Sequence, residues 1–452
     1  MSASAGADPK LTRHQQLARD IYAELIAIDT TQSAGDTFKA AKAMAARLVK
    51  GGLPAADVNA LQTAPKRGNL VARLRGTGRQ KPMLLVAHID VVEARPEDWS
   101  THPFELVEKD GYFYGRGTSD DKAMAAIFVA DLIRLAQDKY KPDRDLVLVL
   151  ECDEEIGDRN GYGIKWLIEH QKDMLAAEFA INEGVGVGTK ESKPLWNGIQ
   201  TAEKQSQNYW LEVTNRGGHS SLPRKDNAIY QLSEAMVKLD KFDFPLALND
   251  TTRSYFTKMS TIETGQTAAD MKSVVAAKPD PGAVARLSAQ PVFNSQLRTT
   301  CVATRLDAGH ADNALPQRAR ALINCRIIPG ETIEGTQKTL AAVIADPAIS
   351  ITPVDREAGS TLSASNAQLL AAAEQLTAKF WPGTPVISVM STGATDGRYL
   401  RKAGIPTYGH SGIAGDLFDV RAHGKDERVE TAAFYTALQY QYELIKLLAG
   451  GQ

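Results

Sequence analysis

Two histidines and a scattered set of acids stand where chemistry could be done. His88 and Asp90 close the apolar run MLLVAHID, Glu154 and Glu155 follow LVLVLECD, and Glu183 follows EFAIN. Asp120 lies in the loop GRGTSDDK just before a helical stretch, and His423 in the polar segment VRAHGKDERVE. Taken singly, each has an ordinary explanation. An acid at a helix start or strand end is usually a solvated terminus, and a histidine after an apolar strand is usually hydrogen-bonded structure. Repetition changes the reading, because successive apolar runs end in side chains able to bind metal. Ligands collect at the carboxyl ends of strands in open α/β sheets. Imidazole and carboxylate suit zinc, and two such ions close together would acidify a water and polarise a carbonyl. A further carboxylate could then move the proton. Residues i and i+2 share a strand face, so one of His88 and Asp90 can bind metal while the other orients it.

Those side chains need a frame, and the hydrophobic pattern supplies one. Residues 13–27 and 37–50 carry apolar positions at helical spacing. NLVARLRG and PMLLVAHIDVV read as strands, KAMAAIFVADLIRLAQ as a helix, DLVLVLECDEE as a buried strand, GYGIKWLIEHQ as a helix and AEFAINEG as a strand. Nearly continuous apolar runs fit strands covered on both faces, so the first 200 or so residues read as α/β. Near Thr201 the pattern changes. NYWLEVTNRGG and ALINCRIIPG alternate like half-exposed strands, and DNAIYQLSEAMVKL and TIEGTQKTLAAVIA follow as helices. Helix–strand alternation resumes at Asn366 and ends in TAAFYTALQYQYELIKLL. The expected architecture is an α/β catalytic domain with a mixed, mostly parallel sheet, covering 1–203 and 357–452. A smaller α+β, ferredoxin-like domain at 204–356 interrupts it.

At 452 residues the chain is too long for one ordinary core, which agrees with two domains. A formal net charge of −2 and the lack of any long like-charged run argue against a nucleic-acid partner. No apolar stretch is long enough to span a membrane as a helix. The opening MSASAGADPKLT lacks the basic and apolar regions of a signal peptide. It reads either as the small-residue start of a mature exported (periplasmic) protein with a Met restored, or as a cytoplasmic start. Cys152, Cys301 and Cys325 form no disulfide framework and no zinc knuckle. Cys152 and Cys325 sit in apolar runs and read as buried thiols, with a Cys301–Cys325 bridge as the alternative.

Taken together, HID at 88–90, GRGTSDDK at 115–122, DEEIG at 153–157, NEG at 182–184 and AHGKDE at 422–427 resemble the motif series of a zinc metallopeptidase family. That family includes glutamate carboxypeptidase, aminoacylase, carnosinase-type dipeptidases, acetylornithine deacetylase and succinyl-diaminopimelate desuccinylase. The resemblance implies two zinc ions, with cobalt or manganese able to take the same ligands. His88 and Glu183 would hold one ion, His423 and Glu155 the other, and Asp120 would bridge them. Asp90 would hold the His88 imidazole and Glu154 would be the general base. The peptide bond after Asp120 is expected to be cis, and Asp121 departs from the Met or Asn often found there.

NRGGHSSLP at 215–223 resembles the segment whose histidine, here His219, hydrogen-bonds the reaction's oxyanion, often in a partner subunit. This implies a homodimer through the inserted domain. Asn313 and Arg326, thirteen residues apart in DNALPQRARALINCRIIPG, resemble the pair that binds a substrate carboxylate. The planar fork of Arg suits that task. Arg398, in STGATDGRYL, is either a second carboxylate anchor or part of an internal salt bridge. The stretch 241–300 exceeds the compact family pattern and reads as an insertion.

The implied reaction is hydrolysis of an amide in a small peptide or N-acyl amino acid with a free carboxylate. A dedicated N-acyl amino acid deacylase is the alternative. A non-catalytic metal-binding homologue would be expected to have lost a ligand or the base, and every such position is filled.

Overall fold

The computed structural model describes residues 11–354 and 362–451. Most of the MSASAGADPKLT segment and the expected boundary at 356/357 therefore lie outside the described residues. The chain divides into two compact units: the described parts of Met1–Gln200, Ser363–Ile387 and Thr395–Gln452, and those of Thr201–Leu362 and Ser388–Ala394. The short return of Ser388–Ala394 to the second unit is a crossing that a single insertion does not contain.

The first unit is organised on a mixed ten-stranded sheet. Its centre runs Leu146–Glu151, Met83–His88, Phe179–Asn182, Thr407–Gly409, each parallel to the next. Every residue of the first three is buried, as their unbroken apolar sequences require. Antiparallel strands flank the centre, Val58–Ala64 with Arg67–Leu74 on one side and Val187–Lys190 with Lys193–Glu203 on the other. Because the central strands are parallel, His88, Glu151 and Asn182 all emerge at one edge, and the loops that follow them gather there.

Helices cover the sheet. Arg13–Ala27 begins with a capping box between Thr12 and Gln15 and buries Ile21, Tyr22, Leu25 and Ile26. Lys122–Gln137 is buried almost all round. The closing helix Thr431–Ala449 brings Phe434 against the first helix. Tyr22 and Phe434 stack with centroids 4.7 Å apart, and Phe113 meets both edge-on. A small three-stranded sheet orders Arg428–Glu430, Tyr112–Tyr114 and Val107–Lys109, pairing Val429 with Phe113.

The second unit carries an antiparallel sheet in the order Thr300–Ala308, Arg318–Ile327, Gln205–Thr214, Ser350–Val354. Together with the helices Ala228–Asp240 and Ile333–Ile344 this is the βαββαβ order of a ferredoxin-like domain. Tyr209, Leu211, Val213, Ala321 and Ile323 point to one face and meet Leu232 and Leu340, so alternation in the sequence becomes a one-sided core. Cys301 and Cys325 are register partners and form a disulfide. The thiol reading of Cys325 is thereby corrected, while Cys152 is a buried free thiol.

The long stretch after Asp240 folds as four helices: Asp250–Ile262, Gly265–Val274, Pro281–Ser288 and Pro291–Leu297. Pro281 and Pro291 begin helices here, which a proline does well because the first-turn N–H needs no helical partner.

Candidate functional site

Five side chains of the first unit, one at the end of a central strand and four in separate loops, form one continuous line of contacts. Glu183 Oε2 lies 3.8 Å from His88 Nε2, and that nitrogen lies 2.9 Å from Asp120 Oδ1. The other oxygen of Asp120 is 3.1 Å from His423 Nε2, which is 2.9 Å from Glu155 Oε2. Asp120 thus stands between the two imidazoles, with one glutamate beyond each. Donor atoms of His88, Asp120 and Glu155 lie within 4.8 Å of one another, as do those of His88, Asp121 and Glu183.

Local backbone geometry puts them there. His88 ends a central strand, and its Nδ1 faces the carbonyl of Asp90 at 3.0 Å. The Asp90 carboxylate stands 3.5 Å from that nitrogen and instead accepts the N–H groups of Glu154 and Glu155 at 3.3 and 3.1 Å. Asp90 therefore fixes the turn that carries both glutamates, a role not visible in the motif. The Asp120–Asp121 peptide is cis, as the resemblance implies. Gly117 bends the preceding loop with φ +87°, and a Cβ there would lie 2.9 Å from Val91 Cγ1. After Glu183, Gly184 lets the chain pass close to Gly409, whose Cα would sit 2.9 Å from an added Cβ.

Charge is crowded. The pKa of Glu154 is pushed well up by burial and by the neighbouring Glu183, and that of Glu183 by burial. Asp121 is fully buried beside them and is raised for the same first reason. Its Oδ2 has no hydrogen-bond partner. Hydrogen bonds to Asp120 and Glu155 lift His423 to about 10. For His88, burial pulls the value down but is outweighed by Glu183, Asp120 and Asp90. Both imidazoles are thus drawn toward positive charge by surrounding acids. The donor set of nitrogen and carboxylate oxygen fits divalent cations of the zinc, cobalt or manganese type.

One buried carboxylate that sequence reasoning passed over organises the neighbouring loops. Glu427 Oε1 accepts from Ser119 N at 2.7 Å, Ser119 Oγ at 2.9 Å and Asp120 N at 3.1 Å. Its Oε2 accepts from Gly117 N at 3.2 Å and from Arg116 at 2.5 Å. Both residues sit inside the quoted motifs, which was the available signal. A cleft of about 390 Å³ opens beside the cluster, lined by Asp120, Asp121, Glu183, Tyr112, Ile413 and Arg428 among others. A larger cavity near His14 and Arg134 holds none of these groups, so size alone does not mark the site.

A model of Peptidase family M20/M25/M40 matches residues 84–447. The chain belongs to that family. It is accordingly an enzyme, an amide hydrolase of a metal-dependent M20 type. It is similar to the N-fatty-acyl-amino acid synthase/hydrolase PM20D1 of Xenopus tropicalis, 30% identical over 372 residues, covering 81% of this chain and 72% of the relative. It is also similar to a probable carboxypeptidase S-like 2 of Dictyostelium discoideum, 28% identical, covering 81% and 71%. Among solved structures, an M20 family metallo-carboxypeptidase from Sulfolobus solfataricus superposes with a TM-score of 0.73 at 20% identity, covering 95% of this chain and 98% of that one. No helix among the described residues is long and apolar enough to cross a membrane.

The remaining expected site residues are not in that line of contacts. His219 and Asn313 are neighbours in the second unit: Gly218–His219 pairs with Ala314–Leu315, and Ser220 N donates to Asn313 O at 2.9 Å. His219 Nδ1 accepts from Ser221 N at 3.2 Å, leaving Nε2 as the outward donor. Arg326 sits at the far end of the strand Arg318–Ile327, abreast of Ser206 and Thr300. Eight residues of strand between Arg318 and Arg326 amount to roughly 27 Å. Asn313 and Arg326 of one chain are therefore not brought together. Arg398 is buried on the helix Gly397–Lys402, donates to Tyr399 Oη at 2.9 Å and lies near the buried Asp396.

Proposed function

We propose that the chain hydrolyses the amide bond of N-acyl amino acids and small peptides that present a free carboxylate, with two divalent cations at the cluster. The observation that carries this reading is the line Glu183–His88–Asp120–His423–Glu155, with Asp120 facing both imidazoles. His88 and Glu183 would hold one cation, His423 and Glu155 the other, and Asp120 both. Zinc is the proposed ion, and cobalt or manganese fits the same donors. When bound, the pair supplies Lewis acidity toward the scissile carbonyl and the attacking water.

The remaining work falls to side chains. A carboxylate oxygen of Glu154 takes the proton as water oxygen bonds to the carbonyl carbon. It returns that proton to the nitrogen as the C–N bond breaks, giving a free acid and an amine. Asp90 holds the Glu154–Glu155 turn in place through the two backbone N–H groups. Arg326 is proposed to grip the substrate carboxylate. His219 would donate from Nε2 to the developing oxyanion. Because Asn313 travels with His219 and away from Arg326, these two would serve the site of a second subunit in a homodimer. The edge strand Thr300–Ala308 of the second unit, with Val302 and Leu306 exposed, supports such an assembly. Arg398 is assigned to the internal charge balance of Asp396 and not to substrate. The Cys301–Cys325 bridge suits an oxidising compartment, in keeping with an exported protein.

A panel of N-acyl amino acids of short and long acyl chain, and of dipeptides, assayed with added zinc, tests the reading. Turnover of either class by the parent, absent in Glu154→Gln, is expected. Parent-rate hydrolysis by that variant, or no hydrolysis of either class, would sink it. A dedicated deacylase is the second reading, favoured by the acyl-amino-acid hydrolase named among the relatives; hydrolysis of N-acyl substrates alone would select it.

A further inference from the structure

His423 is the most exposed of the five proposed ligands. It lies at φ +63° in a loop, and its side chain is 56% exposed. Its position therefore depends on what holds the loop. The guanidinium of Arg116 donates to Gly424 O at 2.9 Å and to His423 O at 3.4 Å, and to Glu427 Oε2 at 2.5 Å. Glu427 Oε1 in turn holds the N–H of Asp120 and both donors of Ser119. Neither side chain is appreciably exposed, at 3% for Arg116 and 0% for Glu427. Gly115 N also donates to Glu427 O at 3.2 Å, extending the pairing of Tyr112–Tyr114 with Arg428–Glu430. The backbone under His423 and the backbone under Asp120 are thus fastened to opposite sides of one buried ion pair.

We propose that Glu427 and Arg116 are positioning residues for the second cation, setting the gap between Asp120 and His423 without touching the ion. The inference rests on the two-cation reading above. Outer residues that orient metal ligands typically change affinity about ten- to a hundredfold when altered. Arg116 holds the carbonyls of His423 and Gly424, while Glu427 also holds the N–H of Asp120, which faces both imidazoles, so the effect falls mainly on the His423 side and less on the site of His88 and Glu183. Glu427→Gln is the informative change, because its amide sets N–H donors against either the Arg116 guanidinium or the N–H groups of Ser119 and Asp120.

Zinc titration of the metal-free full chain against a chelating dye, resolved into two binding steps, tests this. The parent is expected to bind two ions. Glu427→Gln should bind the second ion about ten- to a hundredfold more weakly and the first with a clearly smaller loss. Arg116→Lys keeps the charge but loses the fork to two carbonyls, and should weaken the same step; it decides the matter if Glu427→Gln does not fold. Parent affinity at both steps, or an equal loss at both, in the folded variants would overturn the proposal. A parent that binds fewer than two ions would overturn the reading beneath it instead.

Discussion

Around the cluster the first unit buries acids side by side, with Asp121, Glu151, Glu154 and Glu183 all held toward protonation by burial. The sheet of the second unit does the reverse. Its buried face is mostly apolar and carries no carboxylate, with the neutral Gln205 and Gln207 at one end, and a disulfide ties its edge strand to the next. Crowded carboxylates cost stability that packing elsewhere must offset, and regions that carry such a cost are where chemistry is found. The second unit carries little of it and is built to hold its shape.

The largest effect expected from breaking this contrast is on turnover. Glu154→Gln should lower kcat by about a hundred- to ten-thousandfold while two-step zinc binding and the unfolding of the second unit stay as in the parent. Loss of zinc binding alongside activity would mean that Glu154 is a ligand.

Stability should also titrate differently in the two units. His410, in the first, is fully buried between Gly198 O, to which Nδ1 donates, and Tyr440, whose hydroxyl meets Nε2 at 2.7 Å. Burial holds it down at about 4, against an ordinary 6.5. The unfolded chain therefore takes up a proton that the folded one refuses between these values. Stability is complete above about pH 6.5 and falls by about 3 kcal/mol as the pH drops to 4. Denaturant unfolding of His410→Gln at pH 7 and pH 5 should show a shallower dependence than the parent, and parallel curves would count against this account.

For the second unit, replacing Cys301 and Cys325 together by Ser should cost about 3 kcal/mol, read as a lower denaturation midpoint with zinc affinity unchanged. Thiol titration of the unreduced, unfolded parent should find one reactive cysteine, Cys152. The smallest effect belongs to the open face of the same sheet, where Arg320 lies 4.7 Å above the Trp210 ring. Arg320→Gln should cost about 1 kcal/mol or less.

Much of this was legible from residue patterns. MLLVAH and LVLVLE announce buried parallel strands, and alternation in NYWLEV and ALINCRI announces a sheet with one covered face. The residues at their ends drew attention because type and place coincided. Three things were not legible. The four helices of 250–297 were obscured by Pro281 and Pro291, which start helices where a proline more often suggests a break. The role of Asp90 toward the Glu154 and Glu155 backbone depends on a turn that no spacing rule describes. Glu427 and Arg116 meet across some three hundred residues, and a charge in a polar run looks solvated until its partner is known. The separation of Asn313 from Arg326 was hidden for the opposite reason: closeness in sequence along a strand is distance in space.

The stack of Tyr22, Phe113 and Phe434 has a consequence in time. The helix bearing Phe434 is made some four hundred residues after the first, yet it buries Leu438, Leu444, Ile445 and Leu448 in the same core. At about 5 to 20 residues per second of synthesis, the apolar face of Arg13–Ala27 waits roughly 10 to 50 seconds after residue 200 is made before its partner arrives. Until then that face lacks the aromatic partner it stacks against in the folded protein.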